Sequence, residues 1–298
     1  MVILINNKFV GEKDAKVSVL SEAFMYGYGV FETLRTYVRK GRKMGTKNIV
    51  GGRYVFEAEA HVNRLFQSAA KIDLKIRWRP KDVLKMLEKV AKKSPEKIQR
   101  IKITAIKEGV IITSEKLTEN FNVYKGVGVK TVVMQRDIPE VKSISYLGSY
   151  LSHKRAASRG YYEAVLVDKK GDVSEGAYSN IFWFEGNTLC TRKDGVLPGI
   201  TAQVVIRLAT SGLYMEGAVV AGSLRSTNKV KMIDCPLFKV KFKKINIKNL
   251  LKKSEIFLTQ TTKGIVPVVE IDGRRIGDGK VGKRTKILMK KFSDFTEL

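Results

Sequence analysis

Four stretches of this 298-residue sequence combine residue types that could bind an anion and move protons. Gly199-Ile200-Thr201 stands immediately before a predicted helix, where free backbone N–H groups and the helix dipole favour an anion. Arg64 lies one helical turn from His61, and the planar guanidinium of arginine can meet two phosphate oxygens at once. Lys142 precedes a predicted helix and Glu175 follows a predicted turn. Taken singly, these features could be a helix cap, a surface arginine, a surface lysine and a turn acid.

Hydrophobic periodicity predicts the elements that position these residues. In the first part of the chain it predicts strands at Val2–Val10, within Phe24–Tyr37, at Gln99–Ile106 and at Gly109–Ser114, with helices at 61–72 and from Pro80. Further on it predicts strands at Gly126–Met134, Glu163–Asp168 and Tyr178–Glu185, and helices at Ser145–Arg159 and Ala202–Ala209. The run Lys239–Lys248 alternates apolar and basic residues as a half-buried strand would.

The length and the order of elements predict two domains. Residues 117–126 are polar and lack a helical or alternating period, so they are a candidate connection. We therefore expect an α/β (α+β) protein with a small N-terminal α/β domain at 1–121, a linker at 122–126 and a larger C-terminal domain at 127–298.

Composition narrows the class of protein. Two distant cysteines, Cys190 and Cys235, argue against a disulfide framework and against a metal site, and favour a reducing cytoplasm. Residues 1–11 reach polar side chains too early for the apolar stretch of a signal peptide, and no uncharged run approaches bilayer length, so we expect a protein without a membrane partner. The net charge of +27 could serve a nucleic acid, but the lysines are spread over the whole chain without an aromatic-interleaved stripe. A solvated basic surface is the favoured interpretation.

The chemical residues lie in stretches that resemble one known family. FMYGYGVFETLRTY at 24–37, HVNRL at 61–65, the segment 142–176, LPGIT at 197–201 and FLTQTTKGIVP at 257–267 are similar, in order and spacing, to fold-type IV pyridoxal-5'-phosphate (PLP) enzymes. This group includes branched-chain and D-amino-acid aminotransferases and aminodeoxychorismate lyases. The resemblance implies two domains, the larger with a barrel-like sheet, and a homodimer.

The resemblance also implies roles for individual residues. Lys142 would carry PLP as a Schiff base, which requires a depressed pKa for its amine. Glu175 would pair with the pyridine nitrogen so that the ring accepts electrons. The remaining cofactor contacts implied are Arg64, Tyr146, Leu197, Ile200, Thr201 and Thr261. His61 is expected to be structural.

Substrate binding is less determined by the sequence. Phe31 stands where D-specific enzymes have tyrosine, an Arg-x-His pair is absent from 107–116, and Tyr146 follows Lys142 as in branched-chain enzymes. The resemblance to that type places the substrate α-carboxylate at the backbone N–H groups of Thr261 and Thr262. We therefore expect transamination between a small or branched aliphatic amino acid, L- or D-, and a 2-oxo acid.

Departures from the family pattern keep an alternative open. Ala202 replaces a common arginine, Tyr28 replaces a common acid, and segments near 42–52 and 210–237 are longer than expected. The alternative in the same fold is aminodeoxychorismate lyase, for which Arg100 or Lys102, on one face of a strand, could meet an acidic substrate. A basic nucleic-acid-binding protein is the distant alternative.

Overall fold

The structure is a computed structural model that describes residues 1–38, 49–50, 52–210, 213–214, 233–234 and 236–296. Cys235 and most of the two longer segments near 42–52 and 210–237 lie outside these residues. Within the described residues the chain forms two curled sheets, each covered by helices.

The first sheet contains strands that all precede residue 117. They are β1 (Val2–Ile5), β2 (Lys8–Phe9), β3 (Val30–Val38), β4 (Ile49–Val50), β5 (Arg53–Val55), β6 (Gln99–Ile106) and β7 (Gly109–Lys116). Their order is β2-β1-β7-β6-β3-β5-β4, and all neighbours are antiparallel. Helices α1 (Glu22–Tyr26), α2 (Ala58–Ala70) and α3 (Pro80–Lys93) accompany them, with a 3-10 turn at Glu12–Asp14.

The second sheet contains strands that all follow residue 126. They are β8 (Val127–Val133), β9 (Glu163–Val167), β10 (Val173–Gly176), β11 (Asn180–Glu185), β12 (Thr188–Thr191), β15 (Lys239–Phe242), β16 (Ile256–Gln260), β17 (Gly264–Ile271) and β18 (Arg274–Arg275). The order is β10-β9-β8-β17-β16-β11-β12-β15, with β18 beside β17. Two further short strands, β13 (Leu213–Tyr214) and β14 (Ile233–Asp234), pair with each other.

Four helices belong to this second part of the chain. They are α4 (Leu147–Ala157), α5 (Ile200–Thr210), α6 (Ile247–Leu250) and α7 (Lys283–Thr296), and a 3-10 turn at Phe121–Lys125 leads into the sheet. Among the described residues, no helix combines the length and the apolar character needed to cross a bilayer.

Apolar side chains explain the two layers. The face of α2 with Val62 and Leu65 and the face of α3 with Val83 and Leu87 are buried against the first sheet. Phe182 and Phe257 stack in the second sheet with ring centroids 5.0 Å apart, under the helices α5 and α7. Each large aromatic side chain buried in this way contributes several kcal/mol, about 3 to 5 on truncation to alanine.

Most predicted elements are confirmed, and the differences have local causes. The predicted strand Val2–Val10 is wrong as one element, because Asn6 and Asn7 adopt positive φ and turn the chain into a hairpin. The predicted structureless connection contains the 3-10 turn at Phe121–Lys125, held by the buried Val123. The alternating run after Lys239 continues as a strand only to Phe242 and is a mostly exposed edge.

Candidate active site

A cleft that is partly open to solvent collects six of the residues that the sequence singled out. Its lining includes Arg64, Arg136, Glu175, Leu197, Gly199, Ile200, Thr201, Thr259 and Thr261. These residues come from α2, from the segment after β8, from β10, from the end of β16 and the turn after it, and from the start of α5 and the loop before it. Residues far apart in the sequence are therefore brought together by the fold.

One end of the cleft is built to hold an anion. Helix α5 begins at Ile200 and leaves the backbone N–H groups of its first turn free, as every helix does. Gly199 permits a close approach, since a Cβ at this position would lie 1.9 Å from Asn180 Oδ1. Asn180 in turn donates a hydrogen bond of 2.8 Å to Leu197 O. The loop before α5 is therefore fixed against β11.

Arg64 completes this anion-binding end of the cleft, and Glu32 binds one edge of its guanidinium. Its Nε and Nη2 each donate a hydrogen bond of 2.7 Å to the Glu32 carboxylate, and its Nη1 donates to Pro198 O at 2.8 Å. His61 Nδ1 lies 2.7 Å from the same carboxylate. A guanidinium has five N–H donors. Two of them remain for a ligand, and they belong to the fork that suits phosphate.

Glu175 lies in the same cleft as a buried acid with two fixed oxygens. Arg136 Nη1 donates to Oε1 at 2.9 Å, and the backbone N–H of Leu197 donates to Oε2 at 3.0 Å. Burial raises the pKa of Glu175, while Arg136 acts in the opposite direction. The arginine therefore helps to keep a carboxylate that the buried environment would otherwise protonate.

Lys142 is held beside β3 by backbone pairing. The Phe31 N–H donates to Lys142 O at 2.9 Å, and the Ile144 N–H donates to Gly29 O at 3.0 Å. Gly29 makes this approach possible, because a Cβ there would lie 2.8 Å from the Ile144 side chain. As a result the ammonium of Lys142 lies 4.7 Å from the centroid of the Phe31 ring.

The surroundings of Lys142 favour its neutral form. Burial is the largest cause and, with the charges of Arg64 and Arg136, lowers the pKa of Lys142 to about 8, against the opposing effect of Glu32 and Glu175. Through these charges the Lys142 amine interacts with Arg64 at the anion-binding end of the cleft and with the buried Glu175. An amine of this pKa can serve as a base or a nucleophile near neutral pH.

An aromatic wall lies on the other side of the amine. Phe31 and Tyr146 have ring centroids 5.2 Å apart, and the Lys102 ammonium lies 4.9 Å from the first and 5.9 Å from the second. Tyr146 is also the residue that precedes α4. The wall offers a mostly apolar surface next to the reactive amine, with one cation at its edge.

The turn after β16 offers further donors. The backbone N–H groups of Thr261 and Thr262 donate to no acceptor in the described part of the chain. Arg35 fixes this turn by donating to Thr262 O at 2.8 Å, and its other edge pairs with Glu119 at 2.9 Å. The turn is thus presented with open N–H groups and a constrained carbonyl, which suits a carboxylate.

The structure places the predicted site residues in two groups. Arg64, Glu175, Leu197, Ile200, Thr201 and Thr261 line the cleft. Lys142, Phe31, Tyr146 and Lys102 form a second group outside this lining, and the amine of Lys142 interacts electrostatically with Arg64 and Glu175 in the cleft. Thr262 follows Thr261 in the turn after β16. Arg100 is different, because its half-exposed guanidinium already pairs with Glu115 on the neighbouring strand. Arg100 lies on the same face of the sheet as Lys102, two residues earlier along β6 and further from the Lys142 amine.

Sequence reasoning missed three charged residues that orient the site. They are Glu32, Arg35 and Arg136, all of which make hydrogen bonds to other site residues. For Glu32 the alternating pattern of β3 was a usable signal, because it places this glutamate on the apolar face of the strand, where a buried carboxylate must be paired. The sequence contains no comparable signal for Arg136, which lies in an irregular segment.

The comparisons with known proteins define the class to which this fold and site belong. The model of the amino-transferase class IV family matches residues 29–271, so the chain belongs to that family. It is a PLP-dependent aminotransferase. The chain is 31% identical to a putative branched-chain-amino-acid aminotransferase of Methanocaldococcus jannaschii over 99% of its own length and 96% of that protein.

Two further likenesses extend this result. A D-alanine aminotransferase of Listeria monocytogenes is 26% identical over 98% of this chain and 95% of its own. A crystal structure of the T.th. branched-chain amino acid aminotransferase with pyridoxamine 5'-phosphate superposes with a TM-score of 0.81 at 25% identity, covering 99% of this chain and 94% of that one. These relatives are transaminases, and they do not favour the lyase alternative.

The residues of the cleft fit PLP. The cofactor has a phosphate dianion and a pyridine nitrogen, and the cleft offers free N–H donors with Arg64 for the first and the Glu175 carboxylate for the second. Thr259 Oγ1 is buried in the cleft wall without a hydrogen-bond partner in the described structure. An unsatisfied buried hydroxyl is costly unless a ligand or water meets it.

Proposed function

We propose that this enzyme transfers the amino group of an aliphatic amino acid to a 2-oxo acid, with Lys142 as the residue that holds PLP covalently. The observation that carries the proposal is the position of the Lys142 amine. It lies over the Phe31 ring and interacts electrostatically with both Arg64 and Glu175, which belong to the two functional parts of one cleft.

Each residue of the cleft then has a definite task. Arg64, Ile200, Thr201 and Thr261 hold the phosphate through the guanidinium fork, the helix N-terminus and a hydroxyl. Leu197 packs against the ring and Tyr146 lies beside it. Glu175, oriented by Arg136 and Leu197, keeps a proton on the ring nitrogen.

The reaction requires a proton to leave the substrate Cα. When bound, PLP supplies an electron sink for the pair that this proton leaves behind. Once the substrate amino group has replaced it on the cofactor, the freed Lys142 amine would take up this proton and would release it again as the amino group is transferred, because its depressed pKa makes the neutral amine available near pH 8. The N–H groups of Thr261 and Thr262 hold the α-carboxylate, so the Cα–H bond is oriented toward the amine.

The aliphatic preference is supported by the aromatic wall and by the relatives. Phe31 and Tyr146 present ring surfaces rather than paired arginines to the substrate side chain. The similar proteins are named for branched-chain amino acids and for D-alanine. We therefore propose L-leucine, L-valine or D-alanine as amino donors.

Single amino acids mixed with the PLP form of the enzyme test this function. We expect at least one of the three donors to convert the protein to its pyridoxamine form, seen as loss of the absorbance band near the visible edge. A second 2-oxo acid should restore the band. If no amino acid changes the spectrum while aminodeoxychorismate yields pyruvate and 4-aminobenzoate, the lyase function replaces the one proposed.

We also propose that the enzyme is a homodimer. An apolar patch supports this: Leu20, Phe24, Met25 and Tyr26 around α1 are each more than half exposed, and Leu147 at the start of α4 is 68% exposed. Gly27 packs close to Ser145, so the two parts of the patch adjoin. Such a patch marks a protein interface.

Sedimentation of wild type, Leu20→Glu and the control Ile287→Glu tests the homodimer. Ile287 is also exposed, at 44%, but lies on α7, away from the patch. We expect only Leu20→Glu to shift the protein toward monomer. An active wild-type monomer at micromolar concentration would refute the proposal. A cytoplasmic location is proposed as well, supported by the buried free thiol of Cys190.

A further inference from the structure

A second cavity, of about 630 Å³, lies between the end of β3, the 3-10 turn at Phe121–Lys125 and helix α7. Its walls are largely apolar and aromatic, with Tyr37, Tyr124, Ile265 and Phe292 among the lining side chains. Among the described residues, none lines both this cavity and the PLP cleft. A cavity of this volume and lining is typical of a small-molecule site.

This second cavity lies well away from the Lys142 amine. Tyr37, in its wall, follows Phe31 by six residues on the same strand, which is about 20 Å at the usual rise of about 3.3 Å per residue. The ammonium of Lys142 lies 4.7 Å from the Phe31 centroid. A ligand in the second cavity would therefore not occupy the space in which a substrate reacts.

One cation that lines the second cavity, Lys263, lacks a counter-charge. Its ammonium donates to Thr118 O at 3.1 Å, and among the described residues no carboxylate forms an ion pair with it. The other two lining cations are already paired, Arg35 with Glu119 and Lys290 with an acid one turn further along α7. An ammonium has three donors, so two remain for a ligand. A partly buried cation that meets only a neutral carbonyl is costly, and a carboxylate ligand would remove the cost.

The second cavity also adjoins the turn after β16, whose free N–H groups at Thr261 and Thr262 suit a carboxylate. Two cavity-lining side chains fix the carbonyls of this turn. Arg35 donates to Thr262 O at 2.8 Å, and the Tyr124 hydroxyl donates to Lys263 O at 3.0 Å. Burial and the nearby charge of Arg35 lower the pKa of the Lys263 amine. Because the two cations are close together, a carboxylate at Lys263 would also attract Arg35 and weaken its hydrogen bond to Thr262 O.

We propose that the second cavity is an effector site for an apolar monocarboxylate, and that its occupation weakens substrate binding at the neighbouring turn. The carboxylate binds Lys263, and the hydrocarbon part fills the space between Tyr37 and Phe292. One cation without a counter-charge matches one carboxylate, and the largely apolar walls match a ligand without further charged groups. The inference rests on the proposed function, because it takes the turn as the site of the substrate α-carboxylate.

Matched probes test the binding site in the holoenzyme. Naphthalene-1-acetate and naphthalene-1-acetamide share one ring system and differ in the charge of the head group. A charge-assisted hydrogen bond changes affinity by a factor of about 10 to 100. We therefore expect the acid to bind more tightly than the amide by about that factor in calorimetric Kd, and Lys263→Met to remove the difference.

Two further variants complete the comparison. Lys125→Met removes an exposed lysine of the neighbouring 3-10 turn that does not line the second cavity, and it should leave the preference for the acid unchanged. Ile98→Trp fills the cavity and should weaken binding of both probes by about tenfold or more. If Ile98→Trp does not fold, Val38→Trp, at a half-exposed position of the same lining, takes its place.

The KM of the amino donor gives the effector readout. Increasing naphthalene-1-acetate should raise this KM to a plateau of about fivefold or more, because an effector and a substrate at separate sites can be bound together. Competition inside the cleft would instead raise the KM without limit. Lys263→Met should abolish the saturable rise.

Several results would overturn the proposal: equal affinity of acid and amide in wild type, a preference that persists in Lys263→Met, undiminished binding in Ile98→Trp, or a KM that is unchanged or rises without a plateau. Failure of the proposed function gives a different result. The wild-type enzyme would then transaminate no amino acid, whereas the calorimetric comparison of acid and amide would still report on Lys263.

Discussion

Replacing Glu32 with glutamine removes the charge that balances Arg64 at the phosphate end of the cleft. The carboxylate is fully buried and accepts two hydrogen bonds of 2.7 Å from Arg64, with His61 Nδ1 at the same distance. The substitution leaves a buried guanidinium without its counter-charge. Breaking a buried ion pair in this way costs about 3 to 5 kcal/mol. We expect the unfolding free energy to fall by that amount.

The pH dependence of stability gives a second measure of the same pair. Burial alone would raise the pKa of Glu32, but Arg64 and His61 outweigh it and hold the pKa at about 2, below the ordinary 4.5. A carboxyl whose pKa is depressed in the folded state stabilises the protein above its unfolded pKa, and this stability is lost as pH falls toward the folded value. The difference corresponds to about 3 kcal/mol, lost between pH 4.5 and 2 in wild type and not in Glu32→Gln.

Urea denaturation of wild type, Glu32→Gln and Glu115→Gln, each with and without PLP, is the assay. Glu115 also pairs with an arginine but is 43% exposed, so its replacement should cost less than about 1 kcal/mol. With PLP bound, the phosphate takes over part of the charge of Arg64, and the loss in Glu32→Gln should be smaller. A loss no greater than that of Glu115→Gln, or one independent of PLP, would refute the reasoning.

Three further substitutions test the rest of the cleft. Glu175→Gln should keep PLP bound while slowing the stopped-flow half-reaction by about 100-fold or more, the usual effect of removing one electrostatic partner of a transition state; rates near wild type would reject its role. Arg136→Met removes the charge that opposes burial at Glu175, so the pKa of that carboxyl rises further and the acidic limb of the kcat/KM profile should move to higher pH; an unmoved limb would contradict this. Gly199→Ala places a Cβ 1.9 Å from Asn180 Oδ1, and overpacking of about 1 to 3 kcal/mol should weaken PLP binding in equilibrium dialysis by about tenfold or more; wild-type affinity would show that α5 does not hold the phosphate.

Periodicity was sufficient for the elements that bury one regular face. Helix α3 begins at the predicted Pro80, and β6 spans the predicted Gln99–Ile106. Apolar residues recur at helical spacing in α3 and at every second position in β6, so both patterns are clear. The hairpin at Asn6 and Asn7 was not predicted, because two asparagines with positive φ are a turn signal only when the register of the flanking strands is known.

Only some residues of the candidate site could likewise be predicted from local sequence patterns. Residues on local motifs, such as Thr201 at a helix start, could be found from the sequence because the motif itself explains the chemistry. Arg136 and Arg35 could not, because their partners Glu175 and Thr262 lie 39 and 227 residues away along the chain. The contact of Arg136 with Glu175 is set by the arrangement of strands within the second sheet, and that of Arg35 with Thr262 by the packing of the two sheets.

Borohydride reduction followed by peptide mass analysis tests the central claim most directly. The account predicts that the holoenzyme loses its absorbance band on reduction and carries one phosphopyridoxyl group on the peptide that contains Lys142. Lys102, whose ammonium faces the same aromatic ring, is the internal comparison and should remain unmodified. A phosphopyridoxyl group on Lys102 or any other lysine, with Lys142 unmodified, would contradict the account.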